Sequence, residues 1–293
     1  MPGIDGIRLP VAHISPSRHH WHVIAIPPSS AFPDHRRRLE AEGVFREIRP
    51  GLGLDARRAA WLEESRTLVV ADLHLGYAWT HRVRGQLLPV ENGDDPVARL
   101  GRLIEDYPAR ELVLLGDIVH GEVRGAALEA EFRRLGELPL QLRLVAGNHD
   151  RQLAAWLDRC GFAWPLETEI HLGSNVLLHG EGSDDEDVTD RIVSVGRAGG
   201  MHIIGHEHPA ISISDGIASR ARCPCFLVAP ELLVLPAFSS WSAGSTIGTR
   251  PLLSPFARAV SFQTAMALLA GKLVPIRIGA GKLSPSAASL RPD

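Results

Sequence analysis

The stretch Leu142-Arg-Leu-Val-Ala-Gly-Asn-His-Asp150 decides how the rest of the chain is read. Its first half is a short apolar run of the kind that forms a buried strand. Its second half is a glycine followed by three side chains that can bind a metal or move a proton. The same order recurs on both sides. Thr67-Leu-Val-Val-Ala71 runs into Asp72-x-His74, and Glu111-Leu-Val-Leu-Leu115 runs into Gly116-Asp117. Val176-Leu-Leu178 ends at His179, and Met201-His-Ile-Ile204 ends at Gly205-His206-x-His208. Several of these blocks lie about one strand–helix–strand unit apart. Between them, residues 95–107 carry Val97, Leu100, Leu103 and Ile104 on one helical face, and residues 126–138 and 152–160 are similar. Ser183 followed by Glu186 predicts a capping box for a helix running toward Gly196, which also accounts for the acidic cluster around it.

In an open α/β sheet, ligands bind in the crevice at the carboxyl ends of the strands. Five strands delivering Asp72, His74, Asp117, Asn148, His179, His206 and His208 to one edge would line it with oxygen and nitrogen donors. No thiolate is among them, so the set suits Mn²⁺, Fe²⁺ or Zn²⁺ and excludes iron–sulfur and Cys-rich zinc sites. Seven donors are too many for one ion. Two ions about 3.5–4 Å apart, bridged by one carboxylate, use them all and can clamp a phosphoryl centre. Gly116, Gly147 and Gly205 are read as sharp turns that aim the next side chain into the crevice. Each block alone has an ordinary structural explanation, such as a turn, a helix cap or a core histidine. Their joint occurrence, each after a strand, points to a metal centre.

The composition is that of a globular protein: 293 residues, 45% hydrophobic and 22% charged, with 31 basic against 34 acidic side chains. A formal charge of −3 argues against a general nucleic-acid coat but permits a local track. Cys160, Cys223 and Cys225 are read as reduced, buried small residues, without the spacing of a redox or zinc motif. No signal-peptide pattern or membrane span is read, so a cytoplasmic protein is expected. Residues 1–45, rich in Pro, His and Arg, are expected to be a poorly ordered extension, 46–250 the functional domain and 251–293 a tail containing a helix-like segment at 259–269. The cluster His19-His20-Trp21-His22 and the run His35-Arg36-Arg37-Arg38 are read as solvated. After His208, residues 211–214, 225–229 and 232–236 are expected to form antiparallel strands.

The five blocks, in order, resemble the signature of the calcineurin-like metallophosphoesterase superfamily over residues 46 to 250. The resemblance implies an α/β (α+β) fold of two packed mixed β-sheets flanked by helices, an αββα sandwich with the dimetal site at the strand ends. It implies two divalent metal ions, Mn²⁺ first and Fe²⁺ or Zn²⁺ next. Asp72, His74 and His208 would hold the first ion, Asn148, His179 and His206 the second, and Asp117 would bridge them. His149 would act as general acid or stabilise charge on phosphorus, with Asp150 orienting its ring. The implied chemistry is in-line attack on phosphorus by a hydroxide generated on the metals.

Asp72-Leu-His-Leu-Gly76 and Gly116-Asp-Ile-Val-His120 are similar to versions found in double-strand-break repair nucleases, in which the histidine at the His120 position faces the substrate. Gly205-His-Glu-His-Pro209, with Leu235-Pro-Ala-Phe238, resembles compact ligase-associated DNA-damage-response endonucleases. A phosphodiesterase acting on DNA is therefore expected, with a repair helicase or ligase as partner. A small-molecule or nucleotide phosphatase is the alternative within catalysis, and a metal-stabilised binding scaffold the alternative outside it. Arg82, Arg84 and Arg143 are candidates for phosphate contact. Tyr77 and Trp79 are candidates for base stacking, with a core position expected for Trp79.

Overall fold

A computed structural model describes residues 25–83, 85, 95–121, 125–182, 187–214, 220–242 and 244–278. The first sheet runs in chain order: β1 (Phe45–Arg49), β2 (Leu52–Asp55), β3 (Ala59–Leu62), β4 (Thr67–Ala71), β5 (Glu111–Leu115), β6 (Gln141–Val145) and β7 (Leu166–Glu167). β1 to β4 are antiparallel neighbours, and β4 to β7 are parallel. The second sheet comprises β8 (Glu169–Leu172), β9 (Asn175–Leu178), β10 (His202–Ile204), β11 (Pro209–Ser214), β12 (Arg220–Val228), β13 (Leu232–Val234), β14 (Ser245–Thr246), β15 (Thr264–Leu269) and β16 (Lys272–Arg277). Its order is β14-β11-β12-β13-β10-β9-β8, with β15 added against β12 and β16 beyond it. β9, β10 and β13 are parallel. The helices are α1 (Phe32–Ala41), α2 (Tyr77–Val83), α3 (Pro96–Ile104), α4 (Ala126–Gly136), α5 (Leu153–Cys160), α6 (Val188–Arg197) and α7 (Pro255–Arg258).

The continuous apolar runs are strands buried on both faces, because side chains alternate across a sheet. Val69, Ala71, Val113 and Leu115 pack between the sheets against Leu177, Ile203 and Leu233. Leu68, Val70, Leu112 and Leu114 point the other way, into a core shared with Val97, Leu100, Phe132 and Leu157 of α3, α4 and α5. On the far side, Ile204 and Val234 join Val188, Ile192 and Phe256 from α6 and α7. The result is the α/β sandwich of two mixed sheets with flanking helices that the sequence predicts. A seam ties the sheets at the site: Phe238 N–H donates to Ala71 O at 2.7 Å, and Ser239 N–H to Asp72 O at 3.1 Å. The Arg58 guanidinium crosses it, donating to the carbonyls of Ala237 (2.9 Å) and Ser239 (2.7 Å).

The packed body runs past both ends of the 46–250 span. Phe32 and Leu39 of α1 are buried in the first-sheet core, because the helix turns its two apolar side chains inward. In the run 35–38, Arg37 and Arg38 are exposed as expected, and every member pairs with acidic neighbours: His35 with Asp106, Arg36 with Glu40, Glu47 and Glu63, Arg37 with Asp34, and Arg38 with Glu42 and Asp106. The helix-like segment at 259–269 is in part strand β15, since Ala265 and Ala267 pack into the outer core of the second sheet while Met266 faces the inter-sheet core. His19, His20, His22 and the Ser183–Glu186 capping box lie outside the described residues. The cap seen on α6 is Asp187, whose carboxylate accepts the N–H of Asp190 at 3.2 Å. No helix among the described residues is long and apolar enough to cross a membrane.

One buried titratable group stands apart from the site. His202 is fully buried beside Phe256, and neither ring nitrogen has a hydrogen-bond partner. Burial, aided by Arg191, lowers its pKa to about 4 from 6.5. A neutral native ring against a protonated unfolded one means stability is complete above pH 6.5 and falls as the pH drops toward 4. At 1.4 kcal/mol per pKa unit the loss approaches about 3 kcal/mol by pH 4. His202→Leu is expected to flatten that slope in denaturant midpoints measured from pH 7 to 4.5; an unchanged slope would assign the acid sensitivity to other groups.

Candidate metal centre

The carboxyl ends of β4, β5, β6, β9 and β10 deliver their side chains to one edge spanning both sheets. Asp72, His74, Asp117 and His208 present ligand atoms that all lie within 4.8 Å of one another, and His179, Glu181 and His206 form a second such group. The groups adjoin: His179 Nε2 is 3.5 Å from Asp117 Oδ1, and His179 Nδ1 is 3.8 Å from Asp72 Oδ1. Asn148 joins the second group through Oδ1, 3.3 Å from His179 Nε2. All seven donors expected from the sequence are thus brought together, and Asp117 touches both halves.

The donor set fits cations. His74 and His208 turn their Nε2 atoms toward each other at 3.4 Å, and His206 Nδ1 meets His179 Nε2 at 3.2 Å. A facing pair of imidazole nitrogens can hold only one proton between them when neutral. Two such pairs converging on two carboxylates is an arrangement suited to divalent metal. The electrostatics agree. Burial opposes ionisation of Asp72, but His208, His179 and His74 outweigh it and hold the carboxyl below its usual range. Burial likewise opposes charge on Asp117, and the hydrogen bond and charge of His179 and the N–H of His149 overcome it. Burial works to lower His179, yet Asp117 and Asp72 push it up to about 9. The pocket favours positive charge there, proton or metal. His74 and His206 are lowered to about 4, mainly by burial, which keeps both rings in the neutral form that ligates metal.

The backbone is bent to make this possible. Asp72 (φ 56°), His74 (48°), Asp117 (46°), His206 (64°) and His208 (44°) all occupy the left-handed region, which L side chains rarely adopt. The glycines have two different jobs. Gly116 makes the expected turn (φ +72°), but Gly147 and Gly205 show no positive φ. Their value is close approach: a Cβ on Gly147 would lie 2.2 Å from Asp117 N and 2.4 Å from Asp117 Oδ1, and one on Gly205 would lie 2.8 Å from Asp72 Oδ2.

Asp150 does not orient His149. Its buried carboxylate accepts the N–H groups of Gly147 (2.9 Å), Ile118 (3.2 Å) and Val119 (3.2 Å), fastening the β5 and β6 loops together. Burial dominates its pKa, raised to about 6 against those N–H groups. His149 is exposed at the mouth, with Nε2 3.8 Å from Asp117 Oδ2 and its backbone N–H donating to Asp117 Oδ1 at 3.0 Å. His120 is half-buried, its ring 5.3 Å from that of His74 and 5.7 Å from that of His149. Arg143 is no phosphate contact: its guanidinium is taken up by Glu167 and Glu111 within the first sheet. Arg82 is exposed on α2, and Arg84 lies outside the described residues. Trp79, expected in the core, is 46% exposed, because α2 turns Tyr77 and not Trp79 toward the site.

Three residues at the site escape the sequence reading. Glu181, two places after His179, belongs to the second donor group. Ser242 lies 3.1 Å from His208 Nδ1 and fixes the ring from behind. Glu207 points away from the pocket and accepts the N–H groups of Leu253 (2.6 Å) and Ser254 (3.1 Å), while Ser254 Oγ donates to Gly180 O at 2.6 Å. That staple joins the His179 loop to the His206 loop. The one available signal was a carboxylate set between two histidines in an otherwise apolar stretch.

A two-sheet sandwich carrying a shared-carboxylate donor cluster at its strand ends defines a metallophosphoesterase. The family model of calcineurin-like phosphoesterases matches residues 65–212, just over half of the chain. The chain belongs to that family and is a metal-dependent hydrolase of phosphoric esters. Among solved structures, it is similar to the crystal structure of Pseudomonas putida nuclease MPE, with a TM-score of 0.54 and 23% identity over 77% of this chain and 94% of that one. No curated protein matches it.

Proposed function

We propose that this protein is a dimetal phosphodiesterase acting on DNA, at ends or in single strands. The observation that carries the reading is Asp117, whose one carboxylate lies within contact of both donor groups and of the exposed His149. Asp72, His74 and His208 would hold one ion, Asn148, His179 and His206 the other, and Asp117 both. Bound there, the metals supply a lowered water pKa and neutralise charge on the phosphoryl oxygens. The chain's own residues do the rest. His149 stands at the open side beside Asp117 Oδ2, where its Nε2 can give a proton to the departing oxygen. His120 backs His149 and His74 and keeps both rings in place.

Two further observations support a nucleic-acid substrate: aromatic rings line the mouth, and the Pseudomonas putida neighbour is named a nuclease. DNA repair as the setting, with a helicase or ligase as partner, is part of the same reading. So are Mn²⁺ as the preferred metal and a reducing, cytoplasmic location, in keeping with the free Cys160, Cys223 and Cys225.

The test is direct. With Mn²⁺ the protein should hydrolyse bis(p-nitrophenyl) phosphate and shorten a single-stranded oligonucleotide, and EDTA should stop both. Failure on the diester and the oligonucleotide with Mn²⁺, Fe²⁺, Co²⁺ and Zn²⁺ alike would overturn the proposal; preference for p-nitrophenyl phosphate would favour a monoesterase. His149→Asn is expected to lower kcat by at least about a hundredfold, the scale of general acid catalysis, while metal content stays at the wild-type level. A binding scaffold would show no such loss.

A further inference from the structure

Most aromatic side chains among the described residues are buried, apart from the exposed Trp79 and the half-buried Phe162, Trp164 and Phe262. Trp61, Tyr107 and Phe32 stack in the first-sheet core at 4% exposure or less, and Phe132 packs edge-on against the buried Trp156. The mouth of the metal pocket is different. Tyr77, at the start of α2, and Trp241, on the loop after β13, are both half-buried, and their rings are nearly parallel at 10° with centroids 5.8 Å apart. Tyr77 also lies 4.4 Å from the ring of His120, which in turn contacts the ligand His74 at 5.3 Å. Trp241 is anchored at both sides. Its N–H donates to Ser239 Oγ at 3.3 Å, and its neighbour Ser242 holds His208 Nδ1. Two flat π-faces, Tyr77 two ring contacts from His74 and Trp241 one further, are therefore held beside the pocket and left partly open to water.

A nucleotide places its base one sugar away from its phosphate. Tyr77, reached from the donor His74 through His120, stands on that side of the pocket. Base–aromatic stacking tolerates every base, because each has a π-face. It also asks for no cationic groove, in keeping with a chain of formal charge −3.

We infer that Tyr77 and Trp241 form a nucleobase subsite, which takes the base next to the scissile phosphate and selects nucleotidyl diesters over simple alkyl or aryl ones. This rests on the nuclease reading above, and the experiment separates the two. The Mn²⁺-loaded full chain is assayed on thymidine 5′-(p-nitrophenyl phosphate) and on its base-free deoxyribose counterpart. Wild type should show a KM at least about fivefold lower for the substrate with the base, the lower end of what one stacked base contributes. In Trp241→Ala the two KM values should converge, and in Trp241→Phe, which keeps a ring, they should remain apart. Tyr77→Leu should narrow the gap as Trp241→Ala does. Equal KM values in wild type, or the same ratio in Trp241→Ala as in wild type, would overturn the subsite. Turnover of bis(p-nitrophenyl) phosphate with none of the thymidine diester would overturn the nucleic-acid reading itself.

Discussion

Asp117→Asn is expected to reduce hydrolysis of both bis(p-nitrophenyl) phosphate and an oligonucleotide by about four orders of magnitude. The substitution keeps shape but removes one negative charge and turns one acceptor oxygen into a donor. Asp117 approaches the second donor group more closely than Asp72 does, 3.5 Å against 3.8 Å from His179, and His149 faces its second oxygen. Weakening the hold on two ions forfeits several kcal/mol of transition-state stabilisation, at about 1.4 kcal/mol per tenfold in rate. Metal analysis should accompany the kinetics, with bound Mn²⁺ falling from two per chain to one or fewer. Retention of two ions with near-wild-type turnover would remove Asp117 from the centre of the mechanism.

Gly147→Ala should be strongly damaging although it replaces no metal donor. Its new methyl would stand 2.2 Å from the Asp117 backbone nitrogen and 3.1 Å from the Asp117 Cα, atoms that cannot rotate away as a side chain does. Either the β5 loop or the β6 loop must move, and Asp117 and Asn148 move with them. We expect a stability loss of about 2–3 kcal/mol in denaturant titration, typical of forcing volume into a packed place, with Mn²⁺ affinity lower by at least tenfold. Gly51→Ala is the control. Its backbone is left-handed (φ +77°), which that of Gly147 is not, and the space around it is open, so it should lose about 1 kcal/mol through backbone strain and leave metal binding alone. If the two substitutions behave alike, steric approach is not what Gly147 provides.

Much of this site was legible because its chemistry is written at the ends of uninterrupted apolar runs. β4, β5, β9 and β10 are largely buried on both faces, so their sequences read as short apolar runs, and the polar residues that follow mark the crevice. Antiparallel strands were harder. β1 to β3 are short and broken by glycines and by Arg57-Arg58, and β15 reads as helix-like from Ala, Met and Leu until its partners β12 and β16 are known. Direction of side chains was the least legible property. Asp150 and Glu207 sit within motif blocks, yet both turn from the pocket to satisfy loop N–H groups, a choice set by which amides the neighbouring strands leave unpaired. Trp241 lies outside every block, and only the fold brings it to Tyr77.

The donors are divided between the two sheets: Asp72, His74, Asp117 and Asn148 come from the first, and His179, His206 and His208 from the second. Ions bound among them would act as rivets through the sandwich, each held only when the halves are in register. Occupancy then becomes a thermometer reading, because a ligand at a hundred times its Kd adds about 2.7 kcal/mol to the folded state. A metal-depleted chain should therefore melt earlier as well as turn over no substrate.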